Sequence, residues 1–331
     1  MNWKLHNKEQ QKSSIFVRYL KLILKNLHII WKFSRPHTVI GTCISVFTLF
    51  FLSNHANSLV MPWNFTTFTL TIISCVACNV YITGLNQIYD IEIDRLNKPN
   101  LPLVTQELSM VDAKKIVIFA LMISLVFSYF QNLFLGGLVT CIAIIGSLYT
   151  MPPVRLKRYH FWAATAIALV RGPLINIGIY IHFYVSKYGL PINFNPKIAL
   201  LTVFISAFSV GIAWFKDIPD VDGDKNNNIK TLSVKHGKKT ALRLGTMIVG
   251  LAYLLCVFYS FWPNLFVLNS SPDPILAKTS HLSFGIYHSL ALIYFITISY
   301  KLNTNNAIEV KKFYMSYWIL FFLEYIAFIL F

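Results

Sequence analysis

Long apolar runs alternate with short polar links along almost the whole chain. A bilayer-spanning helix needs about 20 predominantly apolar residues. Nine stretches approach or reach that length: 38–53, 66–89, 115–130, 133–150, 161–183, 198–215, 241–262, 280–299 and 313–331. No soluble domain intervenes, so the pattern predicts one all-α, polytopic domain over 33–331, a bundle of nine transmembrane helices. Ahead of it, residues 15–31 (IFVRYLKLILKNLHIIW) mix basic and apolar positions. They predict an amphipathic helix on the membrane surface, within a basic segment over 1–32. Inside the fifth run, Gly172, Pro173 and Asn176 predict an interrupted helix.

Composition agrees with a lipid environment. The chain of 331 residues is 56% hydrophobic and 13% charged, with a mean hydropathy of +0.57, whereas soluble domains carry about 25% charged residues. The net charge of +16 is spread over the links rather than gathered in a stripe, so nucleic acid is not an expected partner. Of the 29 Lys and Arg residues, 25 fall in the N-terminal segment, in the links after runs 2, 4, 6 and 8, or in the first three positions of the run that follows such a link. The other links hold only Lys187, Lys197 and Lys278, and Arg171 alone lies deep within a run. The positive-inside rule puts the N-terminus and the even-numbered exits on the cytoplasmic side.

The first thirty residues have no long apolar core or small-residue cleavage site, and too little Ser and Arg for a transit peptide. A bacterial source is the expectation. Five cysteines all lie in apolar runs, and the Cys75–Cys78 pair has neither a second pair nor a nearby His, so packing is expected rather than zinc or redox chemistry.

The acidic residues are distributed less evenly. Seven of thirteen crowd into two stretches after runs 2 and 6: Asp90, Glu92 and Asp94, then Asp217, Asp220, Asp222 and Asp224. Carboxylates contribute little to membrane orientation, so topology does not explain the clustering. Asn86, Asp90 and Asp94 are spaced i, i+4, i+8, which keeps them within about 80° on one continuous helix. Asp217, Asp220 and Asp224, at i, i+3, i+7, share a face likewise, unless Gly223 ends the helix and leaves Asp224 on a loop. Hard cations such as Mg2+ take oxygen ligands and keep substrate phosphates as further ligands. The two stretches therefore read as halves of a metal–diphosphate clamp.

A diphosphate also calls for basic groups. Arg95 and Lys98 follow the first stretch, Lys216 and Lys225 flank the second, and a third link, YTMPPVRLKR, carries Arg155, Lys157 and Arg158 behind a double proline. Arg grips phosphate oxygens bidentately and Lys acts as a point charge.

The pattern of Asn86, Asp90 and Asp94 with Lys216, Asp217, Asp220 and Gly223–Asp224 resembles the UbiA family of intramembrane aromatic prenyltransferases. The likeness extends over WKFSRPHTVIGT (31–42), NVYITGLNQIYDIEIDRLNKPNLPL (79–103), YTMPPVRLKR (149–158), FKDIPDVDGDKNNNIKTL (215–232) and FYMSYWILFFLEY (313–325), which look like the homogentisate-prenylating branch. Asp222 departs from that branch, which often has Glu there. The resemblance implies a central cavity opening to cytoplasmic loops, in a cyanobacterial plasma or thylakoid membrane.

It also implies transfer of a phytyl group from phytyl diphosphate to homogentisate with loss of CO2, giving 2-methyl-6-phytyl-1,4-benzoquinol on the route to tocopherols. Mg2+ would be held by Asp90, Asp94, Asp217, Asp220 and Asp224, with Asn86 on a metal or an inner phosphate oxygen. Arg95, Lys98, Arg155, Lys157 and Lys216 would hold the diphosphate, and the tail would run between helices into lipid. Tyr149, with Phe33, Tyr81 and Trp214, is a candidate for shielding an allylic cation. Arg35 either meets the acceptor's carboxylate or anchors the first helix, and His37 is a base for the phenol or an ordinary interfacial histidine. Arg171, an intramembrane charge, is expected to face the interior, with Glu324 as its partner or in the acceptor pocket. Other readings are a related enzyme using a geranylgeranyl or solanesyl tail or another phenol, a cation-coupled transporter, and a non-catalytic scaffold. The position of the acids, at helix exits on one side rather than at mid-membrane, argues against transport.

Overall fold

In the computed structural model of the protein, residues 21–55, 62–192, 194, 196–261 and 274–331 are described, with side chains from 280 in the last stretch. Residues 1–20, and with them the start of the expected surface helix, lie outside the described residues. A helix over 21–33 (α1) leads to α2 (Pro36–Asn54), α3 (Phe65–Tyr89), the short α4 (Ile91–Asn97), α5 (Met110–Gln131) and α6 (Leu133–Thr150). Next come α7 (His160–Leu169), α8 (Ile175–Tyr188) and α9 (Pro196–Lys216), then two short helices, α10 (Val221–Asn226) and α11 (Leu232–His236). The last three are α12 (Lys238–Phe261), α13 (Pro274–Lys301) and α14 (Ala307–Leu330).

Eight of the described helices are long and apolar enough to cross a membrane, with α7 and α8 counted as one span over His160–Tyr188. The 22-residue α5 occupies the place of the remaining expected span and packs along α3. An all-α bundle follows from the solvent, because lipid offers no partner for a free backbone N–H or C=O.

Local signals set the helix ends. Asn64, Ser109, Asn132 and Asn306 are N-caps whose side chains accept backbone N–H bonds from the first turn of α3, α5, α6 and α14. Asn132 alone separates α5 from α6, so these two spans form a tight hairpin. Within the fifth span, Pro173 has no N–H to give and the chain opens into a π-turn over Val170–Leu174. The interruption falls where Gly172 and Pro173 predict it.

Packing inside the bundle relies on small and aromatic residues. Ser74 and Ser124 each donate to the other's backbone carbonyl, at 2.8 and 2.9 Å, and join α3 to α5 without a stranded hydroxyl. Between α9 and α14, the Phe208 and Tyr317 rings stack with centroids 4.0 Å apart, and the Tyr317 hydroxyl donates to the Phe208 carbonyl. All five cysteines are free; Cys75, Cys78 and Cys256 are buried, Cys43 is half-buried and Cys141 is exposed.

Candidate active site

The first acidic stretch is a helix broken at its most important residue. α3 ends at Tyr89, and Asp90 (φ −110°, ψ 10°) is the junction from which α4 starts. The continuous face expected for residues 86, 90 and 94 is therefore two helical pieces, and the Asp94 N–H still bonds the Asp90 carbonyl at 2.7 Å. Asp90 and Asp94 are both buried. Asn86 Oδ1 accepts from Thr150 Oγ1 at 3.0 Å and from Lys157 Nζ at 2.8 Å.

The second stretch differs from expectation in a related way. α9 stops at Lys216, Asp217 and Asp220 lie in the turn that follows, and Asp224 is on α10. Pro219 explains the early break, since it donates no N–H and biases Ile218 away from the helical region. Gly223 does not end a helix but sits within α10, where a Cβ would lie 2.3 Å from Asn97 Oδ1 on α4. Its missing side chain is what lets the two acidic segments close on each other. Lys98 then ties them, with Nζ 2.6 Å from Asp220 Oδ2 and 3.6 Å from Asp94 Oδ1.

Basic residues reach this junction from two other directions. In the loop after α6, Arg155 Nη2 lies 3.0 Å and Lys157 Nζ 2.5 Å from the same oxygen, Asp90 Oδ1. The loop is pinned to the link after α10, since the Lys230 N–H donates to the Arg158 carbonyl at 2.8 Å. At the other edge, Gly84 leaves room for the Phe33 ring, and Gln87 Nε2 donates to the Phe33 carbonyl. That anchorage sets Arg35 two residues later, with Nη2 4.0 Å from Asp94 Oδ2. Arg35 (φ 55°) and Arg155 (φ 40°) both adopt left-handed backbone, which non-glycine residues adopt at a cost of about 1 kcal/mol or more each. Such strain collects where a side chain must be aimed.

Beneath the cluster is an apolar cavity of about 190 Å³ between α2, α3, α6, α7, α8 and α14. It reaches the charged residues at Tyr149, whose hydroxyl accepts a 2.7 Å bond from Lys216 Nζ; Lys216 Nζ is also 3.8 Å from Asp217 Oδ1. Arg171 lines the cavity, as do Asn79 and Thr42, which share a hydrogen bond of 3.1 Å.

Carboxylates of both stretches, cations from three loops and a lipid-compatible cavity thus meet at one end of the bundle. The model of the UbiA prenyltransferase family matches residues 42–320. The chain belongs to that family.

Several of its relatives within the family are homogentisate prenyltransferases. Homogentisate phytyltransferase of Synechocystis sp. is 37% identical over 300 residues, covering 90% of this chain and 93% of the relative. Homogentisate solanesyltransferase of Arabidopsis thaliana is 34% identical over 90% of this chain and 75% of its own. Among solved structures, a UbiA homolog from Archaeoglobus fulgidus bound to GPP and Mg2+ has the same fold, with a TM-score of 0.61 at 17% identity over 91% of this chain and 99% of that one. The chain is an integral membrane aromatic prenyltransferase of the homogentisate group.

Not every residue expected at the site of this UbiA enzyme joins the cluster. Arg95 is exposed and paired with Glu92 at 2.9 Å, pointing away. Asp222, which lies outside the expected ligand set, is exposed on α10. Glu324 is not the partner of Arg171: Glu324 Oε2 lies 3.0 Å from His288 Nε2, and Arg171 instead stands over the rings of Trp318 and Phe321. His37 packs edge-on against Trp318, with centroids 4.9 Å apart. Two residues without a sequence expectation contribute, Thr150 holding Asn86 and Asn79 lining the cavity, while Gly223, expected only as a helix end, admits Asn97. Only Asn79 carried a signal, lying i−7 from Asn86 and so on its helical face.

Burial dominates the electrostatics. It raises the Asp217 carboxyl to about 6, against the pull of Lys216, and raises Asp224 to about 7, helped by the charges of Asp217 and Asp220. Asp94 is raised by burial too, with Lys98 and Arg35 opposing. Burial lowers Lys157 to about 8 despite the attraction of Asp90.

Proposed function

We propose that the protein transfers a phytyl group from phytyl diphosphate to homogentisate, with loss of CO2, to give 2-methyl-6-phytyl-1,4-benzoquinol. The observation that carries this reading is the junction of both acidic stretches and the Arg155–Lys157 loop directly above an apolar cavity. In the reaction the bond from the allylic carbon to diphosphate breaks and a bond to the ring carbon forms. The proton leaving the ring balances the one taken up when the acetate side chain becomes methyl. A related reading, with a geranylgeranyl or solanesyl donor, is favoured by relatives of comparable identity, such as the solanesyltransferase.

The donor set suits Mg2+. No three His, Cys, Asp or Glu side chains converge on one point among the described residues, and Mg2+ that is completed by substrate phosphates needs no such protein cage. Asp94 Oδ2 is buried with no hydrogen-bond partner among the described residues, a hard oxygen available to a cation. Asp90, Asp94, Asp217, Asp220 and Asp224 would hold the metal, which when bound neutralises charge on the departing diphosphate. Arg155, Lys157, Lys98 and Lys216 grip phosphate oxygens, Arg35 adds charge beside Asp94, and Tyr149 closes the top of the cavity against water. The wealth of Lys and Arg at this end supports a site on the cytoplasmic face, and the Synechocystis relative supports a plasma or thylakoid membrane of cyanobacterial type.

The test is a matrix of phytyl, geranylgeranyl and solanesyl diphosphates against homogentisate and related phenols, using membranes containing the protein. Phytyl diphosphate with homogentisate gives the highest turnover, and EDTA abolishes it. A faster reaction with another pair would replace this donor or acceptor, and activity undiminished by EDTA would refute the metal.

A pH dependence follows from the shifted groups. Carboxylates ligate metal only when deprotonated, so affinity weakens as pH falls through 7 and 6, where Asp224 and Asp217 take up protons. The Mg2+ concentration for half-maximal activity rises at least about tenfold between pH 7.5 and 5.5. Above pH 8 Lys157 loses the charge that faces the phosphate, so kcat/KM falls on that side and the profile is bell-shaped. A half-saturating Mg2+ concentration that does not move with pH would remove these carboxylates from the ligand set.

A further inference from the structure

Arg171 is a cation within a membrane span that the diphosphate site does not use. It stands in the π-turn between α7 and α8, one residue before Gly172–Pro173, and lines the cavity. Its guanidinium lies 5.0 Å from the Trp318 ring centroid and 5.6 Å from that of Phe321. Among the described residues no carboxylate pairs with it, and its side chain makes no hydrogen bond. The acid one turn along α14, Glu324, is taken by His288 and Tyr287. An intramembrane charge is expensive and ordinarily has a partner, and ring faces compensate it only in part.

The surrounding structure holds the arginine in place. Asn176 Nδ2 donates to the Arg171 carbonyl at 3.2 Å, and Asn176 Oδ1 accepts from the Tyr325 hydroxyl at 2.8 Å, which locks the turn to α14. Gly172 brings the turn against α9, where a Cβ would lie 2.0 Å from Ser206 Oγ. π-turns of this kind are frequent at functional sites.

We propose that Arg171 binds the carboxylate of the aromatic acceptor and so selects an aryl acetate over a neutral phenol. This rests on the acceptor class proposed above. The argument is one of matching charges. Lys98, Arg155, Lys157 and Lys216 each already face an aspartate at the junction where the diphosphate goes. A prenyl tail and a phenol ring bring no charge into the cavity. The acceptor's carboxylate is the anionic group that remains, and the planar guanidinium can grip it bidentately. Arg35, the other candidate for this role, already has Asp94 beside it.

The test uses the full-length protein in lipid nanodiscs with Mg2+, and two inhibitors of one shape that need not react: 4-hydroxyphenylacetate and 4-hydroxyphenylacetamide. Inhibition is read on turnover of whichever phenol the wild type accepts in the substrate matrix. Failure to use homogentisate there would overturn the acceptor reading without deciding this one. Wild type binds the acid at least about tenfold tighter than the amide. In Arg171→Met the Ki of the acid rises about 30-fold, while that of the amide and the KM for prenyl diphosphate move less than about threefold. Arg171→Lys, which keeps the charge, retains part of the preference and reads the same ratio should the Met variant fail to fold. Equal weakening of acid and amide would make Arg171 a packing residue. A raised KM for prenyl diphosphate would make it a phosphate ligand, and a wild type that does not distinguish acid from amide would also overturn the proposal.

Discussion

Asp217→Asn lowers kcat/KM by at least about 10³-fold, whereas Asp222→Ala changes it by less than about threefold. The two residues share a ten-residue acidic stretch and a charge, and they differ in placement. Asp217 is 6% exposed and 3.8 Å from Lys216, which bonds Tyr149 at the edge of the cavity, while Asp222 faces solvent on α10. Asn keeps the size of Asp217 and removes the charge, so loss of fold does not enter the comparison. Metal-assisted charge neutralisation supplies several kcal/mol of transition-state stabilisation, and each 1.36 kcal/mol is a factor of ten. Asp90→Asn behaves like Asp217→Asn, because Asp90 anchors both Arg155 and Lys157. Steady-state kinetics with saturating Mg2+ on the three variants decides the matter. Equal losses at 217 and 222 would refute the ligand assignment.

The largest effect on stability belongs to a pair remote from the chemistry. Glu324→Leu destabilises the protein by about 3–5 kcal/mol, and the double replacement of His288 and Glu324 by Leu recovers most of that loss. Both side chains are fully buried, and Glu324 Oε2 is 3.0 Å from His288 Nε2, an ion-pair contact between α13 and α14. His288 Nδ1 lies 2.7 Å from the Phe284 carbonyl, which only accepts, so that nitrogen carries a proton. The Tyr287 hydroxyl donates to Glu324 Oε1 at 3.3 Å. Each partner compensates the other across this contact, and removing one strands a polar group among Phe284, Phe328 and Tyr253. Removing both leaves the half-buried Tyr287 hydroxyl without this acceptor but no unpaired charge, and well-packed apolar residues replace a buried pair at little loss. Thermal unfolding in one detergent compares the single and double variants. A double variant as unstable as the sum of the singles would show that the two residues act independently.

Much of the architecture was legible because the solvent is strict. A helix in lipid must satisfy its own backbone and show an apolar surface over about 20 residues. Span positions, the break at Gly172–Pro173 and the clustering of acids at two exits are therefore written locally. The exact ends of helices near the site were less legible. Asp90 and Lys216 end helices that periodicity alone would continue, because junction residues answer to Pro219 and to the contact of α4 with α10 as well as to spacing.

By itself the sequence determined the family, the membrane class and the two acidic stretches of the candidate site, all properties of composition and of motifs within a few turns of chain. Tertiary structure alone decided which charges meet. Lys98 bridges to Asp220, 122 residues away, and Lys157 reaches Asp90, 67 residues back. Arg95 turns outward to Glu92, and Glu324 belongs to His288, leaving Arg171 in the cavity facing rings rather than an acid. The physical reason is that an ion pair forms where packing brings two side chains within about 4 Å. That packing is set here by small residues, such as Gly223 against Asn97 and Gly84 against Phe33, whose effect appears only once distant helices are in contact.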